Sequence, residues 1–253
     1  MKTSQSFFLK KIHGLYILHA MEYKNIVKGK FISRPNRFVA QVETNGETVL
    51  CHVKNTGRCK ELLIPGVTVY MEDFSGRMGN RKLQYSLICV AKEKKLVNID
   101  SQAPNKVVSE ALQSGAILLP GMNSLEIIKG EHVYGNSRLD FYTEDVCGQK
   151  GLVEVKGVTL EKNGTAMFPD APTQRGLRHV EELCKAASCG YQSYIIFVIQ
   201  MSGVSLFMPN YKTHPSFGEA LKKAASCGVH ILCYDCLVTP DSIAVYSPID
   251  YRL

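Results

Sequence analysis

The fold is decided by residues 137–160, SRLDFYTEDVCGQKGLVEVKGVTL, in which alternating apolar and polar positions predict two strands joined by a turn. Asp140 is flanked on both sides by apolar residues, so its side chain faces away from theirs in an extended strand. Glu154 and Lys156 are two residues apart and share one face of the second strand, while valines fill the other face. Three charged groups therefore interrupt two otherwise apolar strands.

Charges in such positions are costly to bury unless they bind a metal ion or one another. Carboxylate oxygens are the ligands that Mg²⁺ prefers, so the pattern predicts that Asp140 and Glu154 hold Mg²⁺, with Mn²⁺ as a second candidate. Lys156 would orient a water and stabilise the charge that develops on a phosphate. Glu110, on a helix predicted over residues 104–117, is a candidate for a further catalytic carboxylate. A solvent-facing strand edge with an ordinary Glu–Lys pair is the alternative.

A second polar segment spans residues 168–183, FPDAPTQRGLRHVEEL. Its two prolines exclude helix before Thr173, which is a favourable N-terminal cap. Arg175 and His179 are four residues apart and share a helix face beside the N-terminal end of the helix dipole, where a phosphate is favoured. An exposed polar helix face is the alternative for both. Asp170 is either a further metal ligand or a turn residue, and the turn is the favoured assignment.

Residues 22–97 consist of short alternating runs separated by turn residues, without helical periodicity. Asn45-Gly46 between two such runs is a strong hairpin signal. Several short strands indicate a small barrel or sandwich, and a basic small barrel is typical of an oligonucleotide-binding (OB) fold. The predicted strands are RFVAQVE at 37–43, ETVLCHV at 47–53, VTVYMED at 67–73 and LQYSLICVAKE at 83–93.

Cations and polar turn residues of this first module are candidates for contacts with a nucleic-acid backbone. The predicted DNA-binding residues are Arg34, Arg37, Lys54, Asn55, Thr56 and Arg58, together with Arg175 and His179 of the second polar segment. A polar hairpin loop is the alternative. Phe38 has the chemistry to stack on a base, but its place in an alternating run favours the barrel core.

Residues 98–253 alternate strands with helices, which predicts an α/β domain with a mixed sheet. The chain is therefore predicted to be an α+β protein with two domains, a barrel over 22–97 and the α/β domain over 98–253. Residues 1–21 are predicted to be a leader or an upstream start without function, because basic residues interrupt their short apolar run.

The composition agrees with this organisation. The chain has 253 residues, of which 45% are hydrophobic and 21% charged, and it contains no apolar stretch long enough to span a membrane. The net charge of +7 is uneven, since the first 100 residues hold 17 Lys and Arg against 8 Asp and Glu, and the others hold 13 against 15. A basic first module attracts nucleic acid, and a solvated Lys-rich surface is the alternative.

The nine cysteines are odd in number and irregularly spaced, which does not indicate a disulfide framework. Cys233 and Cys236 form a C-x-x-C pair, but a zinc site needs a second pair that the sequence lacks. Apolar neighbours favour a buried strand for both. Free thiols are typical of a reducing compartment, so we expect a cytoplasmic protein.

The chain resembles the sugar fermentation stimulation protein A (SfsA) family across nearly all of residues 22–250. The matching pieces are RPNRFVAQV, HVKNTGRCKELLIPG, SRLDF, VEVKGVTL and FPDAPTQRGLRHVEEL. The resemblance implies an OB-like N-terminal barrel, a C-terminal domain of the PD-(D/E)xK nuclease type, and DNA binding with a regulatory role in sugar-metabolism genes. It assigns the metal carboxylates to Asp140 and Glu154 and the lysine to Lys156, and it matches Glu110 to the helical acid.

Two functions stay open at this point. One is a Mg²⁺-dependent deoxyribonuclease, and the other is a non-catalytic DNA-binding regulator whose nuclease site is vestigial. The sequence has no evident helix-turn-helix pattern, which disfavours reading of a DNA sequence by a major-groove helix. RNA in place of DNA, and a homodimer, also stay open.

Overall fold

The computed structural model of the chain describes residues 10–12, 15–17, 20–55 and 57–253. Near the start, β1 (Lys10–Ile12) pairs with β2 (Leu15–Ile17), and β3 (Met21–Glu22) follows. The first module then contains β4 (Ile26–Asn36), β5 (Val39–Thr44), β6 (Glu47–Val53), β7 (Thr68–Asp73), β8 (Tyr85–Lys92) and β9 (Lys95–Asn98).

The first module is a closed five-stranded barrel with one extra strand. Its strand order is β6-β5-β4-β7-β8-β9, and a parallel pairing of β6 with β8 closes the ring. The predicted two-residue hairpin at Asn45-Gly46 is present, with both residues at positive φ. Alternate positions of each strand fill the interior, where Ala40, Val42 and Val53 are fully buried. The OB-like barrel expected from the sequence is confirmed.

The second module is built on a seven-stranded mixed sheet of order β10-β11-β12-β15-β17-β18-β3. Strands β10 to β12 form an antiparallel meander, and β12, β15 and β17 are parallel. The strands are β10 (Leu125–Tyr134), β11 (Ser137–Asp145), β12 (Lys150–Val158), β15 (Gln192–Ile199), β17 (His230–Thr239) and β18 (Ser242–Pro248). A smaller sheet joins β13 (Leu160–Lys162), β14 (Thr165–Phe168), β16 (Leu206–Pro209) and β19 (Asp250–Tyr251).

Three helices cover the two faces of the seven-stranded sheet. The helix α1 (Ala103–Ser114) buries its apolar side against one face, with residues of β12 and β15. The helices α2 (Gln174–Ser188) and α3 (Pro215–Ser226) pack on the opposite face. Thr173 caps α2 as predicted, because its hydroxyl accepts a 2.9 Å hydrogen bond from the Gly176 N–H. These layers confirm the predicted α/β domain with a mixed sheet.

The two modules are joined by apolar packing and by charged pairs. The Lys54 ammonium lies 3.0 Å from the fully buried carboxylate of Asp100. Lys92 on β8 donates to Glu161 on β13 at 2.5 Å. Side chains of the barrel interior and of the second module belong to one continuous hydrophobic core. The barrel and the second module therefore pack against each other, and Asp100 after β9 is held at their junction.

The position of Met21 corrects the predicted end of the leader at residue 21. Met21 pairs with Ile243 in the second module's sheet and is only 7% exposed, so it belongs to the fold and not to a leader. A two-residue strand has no periodicity by which a sequence pattern could reveal it. Residues 1–9, 13–14 and 18–19 of the proposed leader lie outside the described residues.

The cysteines and the helices agree with the expectations from composition. All nine cysteines are free, and Cys233 and Cys236 are buried on β17 as predicted. Burial raises the pKa of both thiols, as it does for a cysteine used as a packing residue. Among the described residues, none of the helices has the length and apolar character needed to cross a bilayer.

Candidate nuclease-like site

Asp140 on β11 and Glu154 on β12 lie on adjacent antiparallel strands, one register step beyond the Phe141–Val153 pair. Asp140 Oδ2 accepts a 2.8 Å hydrogen bond from the Val155 N–H. Its Oδ1 accepts a 2.7 Å hydrogen bond from the side-chain amide of Asn105 on α1. The two bonds hold the carboxylate of Asp140 in one orientation beside Glu154.

Glu154 is almost fully buried, and two groups hold one of its oxygens. The Lys156 ammonium and His179 Nδ1 both contact Glu154 Oε1. His179 Nε2 in turn accepts a 3.3 Å hydrogen bond from Arg175 Nε. Because Nε2 accepts, the proton of a neutral ring lies on Nδ1, and the ring donates to Glu154. A chain of contacts therefore runs from α2 to the carboxylate on β12.

The environments of the two carboxylates shift their pKa values in opposite directions. Burial, and then the negative charge of Glu154, raise the pKa of Asp140 despite hydrogen bonds to its charged form. Burial also opposes ionisation of Glu154, but the hydrogen bond from His179 and the charge of Lys156 outweigh it and lower the pKa. Such divergence within one cluster is typical of functional sites.

Glu154 Oε2 is buried and has no hydrogen-bond partner. An unsatisfied buried carboxylate oxygen is costly, and a cation would remove that cost. Within the described ranges, no three His, Cys, Asp or Glu side chains group as a ready metal cluster. Mg²⁺ needs no such cluster, because it usually binds one or two carboxylates and completes its shell with water and substrate phosphate. Two carboxylates with one free oxygen therefore fit Mg²⁺.

The structure adds Asn105 to the residues expected on α1. Glu110 lies five residues further along the same helix, about 7.5 Å along the axis and about 140° around it. Nothing in the sequence distinguishes Asn105, because an amide on an exposed helix position is common. Asn105 positions Asp140, whereas a catalytic role for Glu110 stays a prediction.

The α2 residues divide between two environments. Arg175 is exposed at the first turn of the helix, as a phosphate contact requires. His179 is only 4% exposed and engaged with Glu154, which corrects its assignment to direct DNA contact. Asp170 is exposed and lines a cleft of about 180 Å³ between the modules. Asp170 lies at a bend of the backbone, in keeping with the favoured turn assignment, although Pro172 has no N–H to donate to its side chain.

Several predicted DNA contacts of the barrel serve its own structure. The Arg34 guanidinium donates to four backbone carbonyls, those of Arg37, Asn55, Gly57 and Arg58, at 2.5–2.8 Å. The Asn55 side chain bonds Gly57 N–H and the Ile99 carbonyl, and Lys54 is paired with Asp100. These three residues therefore shape the loop, and a direct DNA contact of any of them stays a prediction. Thr56 lies outside the described residues.

Three further cations of the barrel face solvent. Arg37, Arg58 and Lys60 are exposed and line a groove of about 690 Å³ that extends to Ala171, just before α2. Phe38 is 51% exposed, so its expected place in the barrel core is wrong. It occupies the turn between β4 and β5, where the alternation of β5 has not yet begun. The fold defines a two-domain protein in which an OB barrel is followed by an α/β domain with a mixed sheet.

Comparison with known proteins gives the family. Residues 32–99 match the family model described as "SfsA N-terminal OB domain", and residues 102–242 match "Sugar fermentation stimulation protein RE domain". The chain belongs to the SfsA family.

Curated relatives cover nearly the whole chain. A sugar fermentation stimulation protein homolog from Desulfitobacterium hafniense is 53% identical over 224 residues, covering 88% of this chain and 94% of the relative. A homolog from Ruminiclostridium cellulolyticum is 51% identical over 233 residues, covering 92% and 100%. The solved structure of Pyrococcus furiosus SfsA in complex with Ca²⁺ is 31% identical, has a TM-score of 0.82, and covers 92% of this chain and 98% of that one.

Proposed function

We propose that this chain binds DNA across its basic barrel and hydrolyses phosphodiester bonds at Asp140, Glu154 and Lys156 with Mg²⁺. The observation that carries the proposal is the buried, unpartnered Oε2 of Glu154 beside a second carboxylate and a lysine. A buried carboxylate oxygen without a hydrogen bond is costly, and a bound ligand would supply the missing partner. Mn²⁺ is a candidate substitute, because it accepts the same oxygen ligands.

The side chains of the site have separate tasks. Asn105 and the Val155 N–H orient Asp140, and His179 with Lys156 keeps Glu154 ionised and fixed through Oε1. Asp140 and the unpartnered Oε2 of Glu154 would then hold a divalent cation. When bound, Mg²⁺ supplies Lewis-acid polarisation of the scissile phosphate and lowers the pKa of a water. The Lys156 ammonium would stabilise negative charge on the phosphate and orient the attacking water.

The route for DNA follows the exposed cations. The groove with Arg37, Arg58 and Lys60 continues from the barrel to the segment before α2, where Arg175 is exposed. Positively charged side chains and the N-terminal end of a helix both attract the phosphates of DNA. Pyrococcus furiosus SfsA was solved in complex with Ca²⁺, which supports a divalent-cation site in this family.

The test is cleavage of labelled single-stranded, duplex and branched DNA by the purified protein with Mg²⁺ or Mn²⁺. Glu154→Gln and Lys156→Gln should each lower the cleavage rate by about 100-fold or more, because each removes charge from the reacting site. Glu126→Gln and Lys150→Gln are matched controls, since both residues are exposed on the same sheet and should leave the rate unchanged.

Intact DNA with every substrate and both metals would contradict hydrolysis. DNA binding that survives Glu154→Gln and Lys156→Gln, with no cutting by the unmodified protein, would instead support a non-catalytic regulator. Circular dichroism and thermal unfolding of each variant separate loss of the site from loss of the fold.

A further inference from the structure

Phe38 is the most notable exposed aromatic side chain of the barrel, and its turn is held rigidly. The Phe38 N–H donates to Asn36 Oδ1 at 2.9 Å, and the Phe38 carbonyl accepts from the Val53 N–H at 2.8 Å. Arg34 also donates to the Arg37 carbonyl at 2.5 Å. An aromatic ring half in solvent on such a turn costs free energy, while its fixed backbone reduces the entropy lost on binding.

Phe38 forms one wall of a cleft of about 400 Å³ on the outer side of the barrel. Apolar atoms of Val39 and Leu83 contribute to its lining, and His52, Arg81 and Lys82 complete it. Val39 lies directly opposite His52 in the β5–β6 pairing. Arg81, Lys82 and Leu83 come from the loop between β7 and β8. In OB folds, the corresponding sheet face and loops contact oligonucleotides.

The cations of this cleft are placed to meet a phosphate. The Arg81 guanidinium lies 3.7 Å from the centre of the Phe74 ring, and it donates to the Ser86 hydroxyl at 2.5 Å. These contacts fix the position of Arg81. Lys82 is exposed, so its side chain can adjust to the phosphate backbone of a flexible nucleic acid. The cleft therefore combines an aromatic and aliphatic wall with one fixed and one flexible positive charge.

We infer that this cleft binds single-stranded DNA, with one unpaired base stacked on Phe38 and the adjoining phosphate near Arg81 and Lys82. The inference rests on the proposed DNA binding and specifies its substrate as a single strand. Bases within a duplex are already stacked on their neighbours, so only an unpaired base can present its face to Phe38. An apolar protein partner would not account for the positive charges beside the ring.

The position of the turn links this cleft to the remainder of the proposed path. Arg37 lines the groove that leads toward Ala171, whereas the next residue, Phe38, lines the cleft. A single strand of DNA that crosses the turn would thus pass from Phe38 along Arg37, Arg58 and Lys60 toward α2. Stacking would fix the register of the strand at one end, and phosphate contacts would guide the remainder toward the second module.

The test is fluorescence anisotropy of a labelled 20-nucleotide single strand and of its duplex, in EDTA so that no cleavage occurs. Phe38→Ala should weaken single-strand binding about 5- to 150-fold, the value of one base–aromatic stack, while Phe38→Tyr should retain it. Tyr246→Ala is the matched control, because Tyr246 is 48% exposed on the second module's sheet and should not affect binding.

The absence of tryptophan allows a direct readout of stacking. The chain contains no Trp, so Phe38→Trp and Tyr246→Trp variants each carry a single indole that can be excited selectively. Single-stranded DNA should quench the emission of the Phe38→Trp variant and leave that of the Tyr246→Trp variant unchanged.

Four outcomes would overturn the inference. Unchanged affinity of Phe38→Ala, absence of quenching in Phe38→Trp, or tighter binding of duplex than of single strand would remove Phe38 as a stacking site while leaving DNA binding intact. Tighter binding of a matched oligoribonucleotide would overturn the choice of DNA. Failure of the unmodified protein to bind any DNA at low salt would instead contradict the proposed function itself.

Discussion

Glu154 presents two oxygen atoms in different environments, and the difference defines the site. Oε1 is contacted by Lys156 and His179, while Oε2 is buried without a partner. A fixed oxygen and a free oxygen on one carboxylate let the protein hold the side chain with one and offer the other to a ligand. His179 is therefore a positioning residue, which acts through Glu154.

Replacing His179 tests this role. His179→Ala should lower metal-dependent cleavage about 10- to 100-fold, as loss of a group that orients a metal ligand generally does. His179→Asn should recover most of the rate, because its amide N–H lies near the position of Nδ1 and can still donate to Glu154. Calorimetric Mn²⁺ affinity should follow the same order.

An equal loss in His179→Asn and His179→Ala, with both variants folded, would contradict positioning through that hydrogen bond. Unchanged cleavage in His179→Ala would do so as well. Circular dichroism and thermal unfolding give the necessary check on the fold.

The sequence could predict that Asp140, Glu154 and Lys156 come together, because charges that interrupt an apolar alternation can be recognised within a single strand. It could not predict the contact between His179 and Glu154, which are 25 residues apart and lie on different elements. The same limit applies to Arg34, since a cation bonded to four backbone carbonyls has the same sequence appearance as a cation free to bind phosphate.

At the scale of elements, the end of β12 is tightly packed immediately after Lys156. A Cβ at Gly157 would lie 2.6 Å from Gln200 Oε1 and 2.7 Å from Pro104 Cγ. Gln200 is itself held by hydrogen bonds to Asn98 and to the Asp100 carbonyl, so it cannot easily move away. This packing fixes the strand that carries the charged pair.

Gly157→Ala should therefore lower the free energy of unfolding by about 1–3 kcal/mol, through overpacking. It should also reduce cleavage by displacing Lys156. Gly130→Ala on β10 is the matched control, because its Cβ would meet nothing closer than the Asp140 carbonyl at 4.0 Å. Urea denaturation measures the free energy of unfolding of both variants, and equal stabilities of the two would contradict the proposed packing.

The helical and barrel elements were predictable because each has several turns or strands of consistent pattern. Thr173 marked the start of α2, and Asn45-Gly46 marked the first hairpin. β3 was not predictable, since only two residues pair with β18 and their burial depends on a distant strand. The exposure of Phe38 was missed because β5 begins at Val39, two residues later than the predicted run at 37–43.

In the whole molecule, the proposed path of DNA from the barrel to the second module depends on contacts that hold the two modules together. Glu161 on β13 contributes, with Lys92 2.5 Å away and Lys95 3.9 Å away, both on the barrel. Burial opposes ionisation of Glu161, but hydrogen bonds from Lys92 and the Gly164 N–H, with the two lysine charges, lower its pKa. A lowered pKa stabilises the folded state above the ordinary Glu value, and the stabilisation is lost as pH falls through the folded-state pKa.

Glu161→Gln should accordingly lower the free energy of unfolding by about 1–3 kcal/mol at neutral pH, since it weakens hydrogen bonds to a charged group. The difference from the unmodified protein should shrink as pH falls below about 4, where Glu161 becomes protonated in the unfolded chain. Glu219→Gln is the control, because its pair with Lys222 is exposed on α3 and should change stability by less than about 0.5 kcal/mol. A pH-independent effect of Glu161→Gln would contradict the electrostatic explanation.

The proposed hydrolysis depends on a divalent cation bound by Glu154 Oε2 and Asp140 together. An anomalous difference map from crystals soaked in Mn²⁺, with Glu154→Gln crystals treated identically, would locate that cation. We predict a peak at about 2.0–2.3 Å from Glu154 Oε2, with Asp140 as a further ligand, that disappears in the variant. A site left without a peak at saturating Mn²⁺, or a peak that persists in Glu154→Gln, would contradict the claim.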